Sequence, residues 1–391
     1  MHPTTMQILK AMRKTASQLE MIKLLREFID SGKISTAEFA DYIAQIKPLA
    51  SQGKSGSVVG TLPHMPDSII KMYKYKINPE LLIKTNGKCI RIDNKLNELL
   101  INIIIKSLPE LFKMKPDEVR ILKRNTLMIT QHGISDDGSF IILPKIGVSS
   151  GGKYITNMRE LIEFNHHPIL VGILSENRDT QESILADYDL FIKEKIANYI
   201  DVLKLFQQKL NYINTDVKMT NIFIKPIPSG GDNSNTRYKR LRDRGFIVDF
   251  EMVLADLEKS SYFLGKDSKM VITTFPRSPA KLSVLYLIGH SLDNRIRYGC
   301  DKTLKNTVCK NKLDPMDYDT LCLIIDFYAY MLRIDPKMIE LLPGIYGLMV
   351  DILGSDKLTV LVKILKTGKY KIDKRYSFII NGIISKYCKM I

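Results

Sequence analysis

Within "YINTDVKMTNIFIK" (Tyr212 to Lys225), Asp216, Lys218 and Asn221 place an acid, a base and an amide between apolar, β-branched flanks. Such groups together can move a proton and neutralise charge. The same residues also favour a polar turn between two apolar runs. On that stretch alone both readings stand, so the elements around it must decide.

The chain has 391 residues, enough for one two-lobed domain with extensions or for two domains. Its hydrophobic and charged fractions, 45% and 26%, argue against extensive disorder. The formal charge of +16 favours a polyanionic partner such as an acidic protein, a phosphoinositide surface, a nucleic acid or a nucleotide, against the alternative of a solvated Lys-rich surface. No basic stretch alternates with aromatic residues, so nucleic acid is not indicated beyond net charge. Five dispersed cysteines without a CxxC pair indicate neither a zinc site nor a disulfide framework. The adjacent His166 and His167 point apart on a helix or strand and make a poor metal pair. No secretory h-region and no apolar run of ~18 residues is present, so the expectation is an intracellular, cytoplasmic protein without a membrane span.

Residues 5 to 31 read as one amphipathic helix with Ile8, Met12, Leu19, Ile22, Leu25 and Phe28 on its apolar face. "SGKISTAEF" then stops one helix at Gly32 and starts another, with Ser35 and Glu38 as a capping box. This front end, 1 to 45, is a helical extension. From Ile46 the period shortens. "GKSGSVVG" is a glycine-punctuated turn, "DSIIKMYK" a strand, "RIDNKLNELLINIIIKSL" a buried helix, and "NTLMITQ" and "SFIILPKIGV" further strands, the last entered through a turn at "SDDG". After a joint at "SSGG" helices dominate, beginning with Ile184 to Leu210. Residues 226 to 245, polar and then basic, read as a mobile insertion whose Arg237, Lys239, Arg240, Arg242 and Arg244 could recruit an acidic surface. Residues 281 to 391 read as mostly helical.

The polar residues fall on this frame in a particular order. A Gly-rich turn (Gly53, Ser55, Gly56) is followed by a strand lysine, Lys71, and a helix glutamate, Glu98. Asp216-x-Lys218-x-x-Asn221 comes next, and then "VDFE" with Asp249 and Glu251. This order resembles the eukaryotic-type protein kinase superfamily, in style the divergent Ser/Thr kinases encoded by large DNA viruses, over Ile46 to the end of the chain.

The resemblance implies an α+β, two-lobed fold: a β-rich small lobe over 46 to 148 and a helical large lobe over 149 to 391. It implies ATP and Mg2+ as cofactors and phosphoryl transfer to Ser or Thr hydroxyls of a protein substrate. Gly53, Ser55 and Gly56 would then let backbone N–H groups approach the phosphates. Lys71 would hold the α- and β-phosphates with Glu98 as its partner, Glu80 and Glu110 being rivals for that place. Asp216 would orient the acceptor hydroxyl, Lys218 reach the γ-phosphate, and Asn221 and Asp249 ligate Mg2+.

The sequence departs from the family pattern in several places. GxxG replaces GxGxxG, Asn214-Thr215 replaces His-Arg, Glu251 stands where the family has Gly, and Ser283 where it has Asp. A catalytically weak pseudokinase acting as an interaction scaffold, and a small-molecule kinase on the same fold, are therefore the alternatives. Lys218 speaks against the latter.

Overall fold

A computed structural model describes residues 3–49, 57–76, 83–86, 89–175, 178–210, 212–214, 217–227, 235–266 and 270–274, with single positions 323, 327, 330, 344, 346–348, 350 and 355. Gly53, Ser55, Gly56, Asp216 and Ser283 lie outside them, as does most of 281 to 391. The described chain is mixed α and β, with small sheets and many helices.

The first expected helix is two, α1 (Pro3–Lys14) and α2 (Gln18–Ser31). Ser17 breaks the run: its backbone is extended and its hydroxyl accepts from the N–H of Glu20, an N-cap that starts a new helix. The break also resets the helical phase. Leu19, expected on the apolar face, is 81% exposed, while Met21, Leu24, Leu25, Phe28 and Ile29 are buried. α3 (Thr36–Gln45) begins at Ser35, whose hydroxyl accepts from the N–H of Glu38.

Strands β1 (Lys47–Pro48), β2 (Ser57–Leu62), β3 (Met65–Lys74), β6 (Gln131–Ser135) and β7 (Gly138–Pro144) form an antiparallel sheet in the order β1-β2-β3-β7-β6. The two-residue side-chain period of a strand divides β3 between two environments. Ile70 and Met72, with Phe140 and Ile142 of β7, join Phe39 of α3 in a small apolar cluster. The alternate residues Ile69, Lys71 and Tyr73 face the other way. On that side Ile141 and Leu143 join the large core, which includes α4 (Asn94–Leu111). Gly138 closes the β6–β7 hairpin at φ 156°, and a Cβ there would sit 2.0 Å from the carbonyl oxygen of Tyr73. The segment "NTLMITQ" contributes a single bridge, at Thr126, and joins the ladder only at Gln131.

α4 is capped by Asp93, whose carboxylate accepts from the N–H of Lys95, and runs through Pro109 to Leu111. Glu110 is therefore helical, not beyond the helix, and it pairs with Lys10 of α1. Arg13 of α1 donates to the carbonyl of Leu111, so the front helices satisfy an end carbonyl of α4.

β4 (Ile83–Asn86), β5 (Cys89–Ile92), β10 (Ile213–Asn214), β13 (Ser260–Leu264) and β14 (Met270–Thr274) form a second sheet, ordered β10-β13-β14-β5-β4, in which β14 and β5 run parallel. β8 (Val148–Ser150) pairs with β9 (Lys153–Ile155). Helices α5 (Pro116–Asn125), α6 (Met158–Ser175) and α7 (Arg178–Leu210) precede a hairpin of β11 (Ile222–Pro226) and β12 (Phe250–Leu254). Among the described residues no helix is long and apolar enough to cross a membrane.

The insertion departs from its sequence reading. Residues 228 to 234 lie outside the described set, but α8 (Thr236–Asp243) is a docked helix with Tyr238 and Leu241 buried. Three of its cations, Arg237, Arg240 and Arg242, are engaged in ion pairs. Arg240 makes a two-pronged contact with Asp187 of α7, and Arg242 another with Asp249. The apolar residues at i and i+3 inside a basic run are what dock it. Leu241→Ala should cost about 2–4 kcal/mol, the usual range for emptying a packed leucine site. A urea midpoint that barely moves would show that α8 does not contribute to the core.

Candidate active site around Lys71

Lys71 leaves β3 on the face turned to α4. Its Nζ donates to Glu98 Oε1 at 2.8 Å, and Asp256 Oδ1 lies 3.4 Å away. Glu98 is 2% exposed, and its other carboxylate oxygen accepts from the hydroxyl of Tyr73, two residues along β3 from Lys71. The Lys71 ammonium also stands over the Tyr73 ring, 5.4 Å from its centroid. The sheet and the helix are thus joined by a partly buried cation, a buried carboxylate and a phenol. Glu110, a rival for this place, is at the far end of α4 with Lys10; Glu80 lies outside the described residues.

Asp256 reaches Lys71 from a different part of the chain. It lies just beyond β12, after Ala255, and caps a short 3-10 turn, Leu257–Lys259, with a left-handed backbone at φ 56° and ψ 62°. An L residue other than Gly, Asn or Asp is rarely found there; a short polar side chain tolerates it. Glu98, Asp256 and Glu258 each present a carboxylate oxygen within 4.8 Å of the others.

This crowding sets the electrostatics. Burial pushes the Glu98 carboxyl up to about 7, with Asp256 and Glu258 adding to the shift and Lys71 opposing it. Burial also works against the Lys71 charge, but Glu98 and Asp256 hold the ammonium above its ordinary range. The two directions favour a proton on each partner. We favour a charged Lys71 throughout, because three carboxylates stand around one ammonium, with Glu98 taking up a proton as pH falls through neutrality.

Asn221 and Lys218 belong to a single turn. Lys218 precedes the 3-10 turn Met219–Asn221, and the Asn221 N–H donates to the Lys218 carbonyl at 2.8 Å. Asn221 is buried and leads straight into β11. Because Ile222 pairs with Leu254, Asn221 and Asp256 leave the β11–β12 hairpin at the same end.

Asp249 does not. It precedes Phe250, which pairs with Pro226 at the opposite end. Five residues of β12 separate the two ends, roughly 17 Å at ~3.4 Å per residue. There Asp249 is held by Arg242, at 2.8 and 3.0 Å. The expected convergence of Asn221 and Asp249 on one metal is thus absent, because "VDFE" opens a strand and does not follow one. Glu251 is a strand residue too, paired with the buried Lys195 of α7 at 3.5 Å. The residue missed in the sequence is Asp256. Its signal was the apolar run Met252 to Ala255 directly before "DLE", a strand that ends at an acid.

No protein-family profile matches this chain, and no curated protein matches it. Among solved structures, the BubR1 kinase domain aligns over 84% of this chain and 97% of its own, with a TM-score of 0.31 and 10% identity. A likeness at that level assigns nothing to the chain, and the chemistry rests on the residues above.

The Glu98 shift has a measurable consequence. A carboxyl with a folded-state pKa near 7 and an ordinary value of 4.5 holds its proton more tightly folded than unfolded between those values. Its contribution to stability is therefore present at low pH and lost as pH rises through that window. Glu98→Gln cannot titrate, so between pH 5 and 7.5 its stability relative to wild type should rise by about 2–3 kcal/mol, at ~1.4 kcal/mol per unit. Urea midpoints for both proteins at the two pH values read this directly. A difference that stays constant with pH would place Glu98 as ionised throughout.

Proposed function

We propose that the chain is an ATP- and Mg2+-dependent phosphotransferase of the protein-kinase kind, acting on Ser or Thr hydroxyls of a protein. One observation carries the reading: β3, α4 and the turn after β12 converge on a single partly buried ammonium, Lys71, while Asn221 leaves the same hairpin at the end where that turn begins. A generic core ion pair needs one partner. Here the ammonium is drawn between a helix carboxylate and a second carboxylate on a strained turn, an arrangement suited to handling a polyphosphate next to a cation.

In this reading Lys71 binds the α- and β-phosphates, and Glu98, steadied by Tyr73, keeps it extended. Asp256 takes the metal-binding part first read for Asp249, with Asn221 beside it. Carboxylate and amide oxygens are the hard donors that Mg2+ takes, so the donor set fits. The bound metal would supply charge neutralisation on the phosphates. Asp216 orients the acceptor hydroxyl, Lys218 steadies the transferring phosphate, and backbone N–H groups around Gly53, Ser55 and Gly56 cover the nucleotide. The sheet with α4 then makes the small lobe, and the elements from α6 onward the large one. A net charge of +16 favours an acidic protein as acceptor.

Exchanging two isosteric variants tests the assignment. Asp256→Asn should lower phosphoryl transfer to a basic or acidic test protein by roughly a thousand-fold, the scale of a lost metal carboxylate. Asp249→Asn should stay within a few-fold of wild type and lose at most ~1 kcal/mol of stability, because a half-exposed ion pair contributes little. The opposite ranking would return the metal role to Asp249. A wild-type protein that binds no Mg·ATP would leave the interaction-scaffold reading in its place.

A further inference from the structure

We infer that Asn97 is a positioning residue that sets Asp256 through the turn behind it, so that one helix aligns both partners of Lys71. The inference deepens the phosphotransferase reading and rests on it.

Asn97 is fully buried and directly precedes Glu98 on α4. Its Nδ2 donates to two backbone carbonyls, Ser260 at 2.9 Å and Glu258 at 3.2 Å. Those carbonyls belong to the short turn that starts at Asp256 and to the first residue of β13. The amide group thus spans from α4 to the segment whose first residue touches Lys71. Glu98 meanwhile reaches Lys71 itself. Neighbouring residues on a helix point about 100° apart, which lets adjacent side chains address two different walls.

The second observation is the backbone of Asp256. Its left-handed conformation is uncommon for an L residue, and although aspartate tolerates it, surrounding contacts help to hold it. A side chain donating to both carbonyls just downstream is such a contact. Asn97 Oδ1, by contrast, is buried without a hydrogen-bond partner among the described residues. A leucine has the same branched shape and would leave no buried oxygen unpaired. What asparagine adds at this position is its two donated bonds. Any displacement of α4 must draw Glu98 from Lys71 and release the Asp256 turn in the same step.

Asn97→Leu keeps the branched shape, adds methyl bulk and removes both bonds. Hydrogen exchange at the Leu257–Ser260 amides should quicken about tenfold, the scale of one lost neutral hydrogen bond, with α4 amides unchanged. The Mg2+ concentration for half-maximal transfer should rise by a similar factor, while KM for ATP at saturating Mg2+ moves less than about threefold. A structural defect alone would not separate metal requirement from nucleotide affinity in this way. If Asn97→Leu does not fold, Asn97→Ser, too short to reach either carbonyl, carries the same expectations. Unchanged exchange overturns the tether. Faster exchange with an unaltered Mg2+ requirement overturns its part in catalysis. Wild-type protein that takes up no Mg·ATP overturns the phosphotransferase reading itself, and titration of the wild type alone reveals it.

Discussion

An ammonium drawn largely out of water cannot stand alone, and much of this structure answers that constraint. Removing Lys71 from water is unfavourable unless anions meet it with good geometry. Glu98 does so at 2.8 Å, but Glu98 is itself buried and needs both Lys71 and the Tyr73 hydroxyl. Satisfying these groups fixes the distance between β3 and α4. It also fixes the rotation of α4, since Glu98 must face the sheet while Leu96, Leu99, Leu100 and Ile103 pack into the core. The apolar residues supply most of the driving force, and the polar ones select a single arrangement of helix on sheet.

The same helix is held at its far end and from behind. Arg13 satisfies the Leu111 carbonyl, Lys10 meets Glu110, and Ile8, Leu9 and Met12 of α1 belong to the core that contains α4. A further link runs from the front helices to the later chain, where the Lys266 N–H donates to the Thr15 carbonyl at 2.7 Å. The N-terminal helices are therefore part of the frame that holds the site, not an appendage to it.

Much of this frame is legible in the residues. The alternation in "DSIIKMYK" places Lys71 opposite Ile70 and Met72, and the single charge among the apolar residues of "LNELLINIII" marks Glu98. Ser35 and the turn at "SDDG" announce themselves by local chemistry. What stayed hidden depends on distant partners. Whether "VDFE" or "ADLE" shares an end of the hairpin with Asn221 is decided by which residue of β12 pairs with Ile222, and strand register is not written in either segment. The stretch 226 to 245 reads as a mobile insertion because Tyr238 and Leu241 find their apolar partners only on α7 and beyond. Ser17 was a signal that could have been read: a cap in the middle of an apparent helix.

The parallel pairing of β14 with β5 bears on how the chain reaches this state. β5 runs straight into the cap of α4, and its partner Met270–Thr274 arrives only after α6, α7 and the β11–β12 hairpin have been made. During synthesis the second edge of β5, with Ile90 and Ile92 that end fully buried, must wait without its strand. Pairings between segments so distant in sequence form late, after loop closure, and leave an apolar edge open to other chains meanwhile. The order of translation thus makes completion of the second sheet a late folding step, and truncation before Met270 would leave a sticky edge at the root of the helix that carries Glu98.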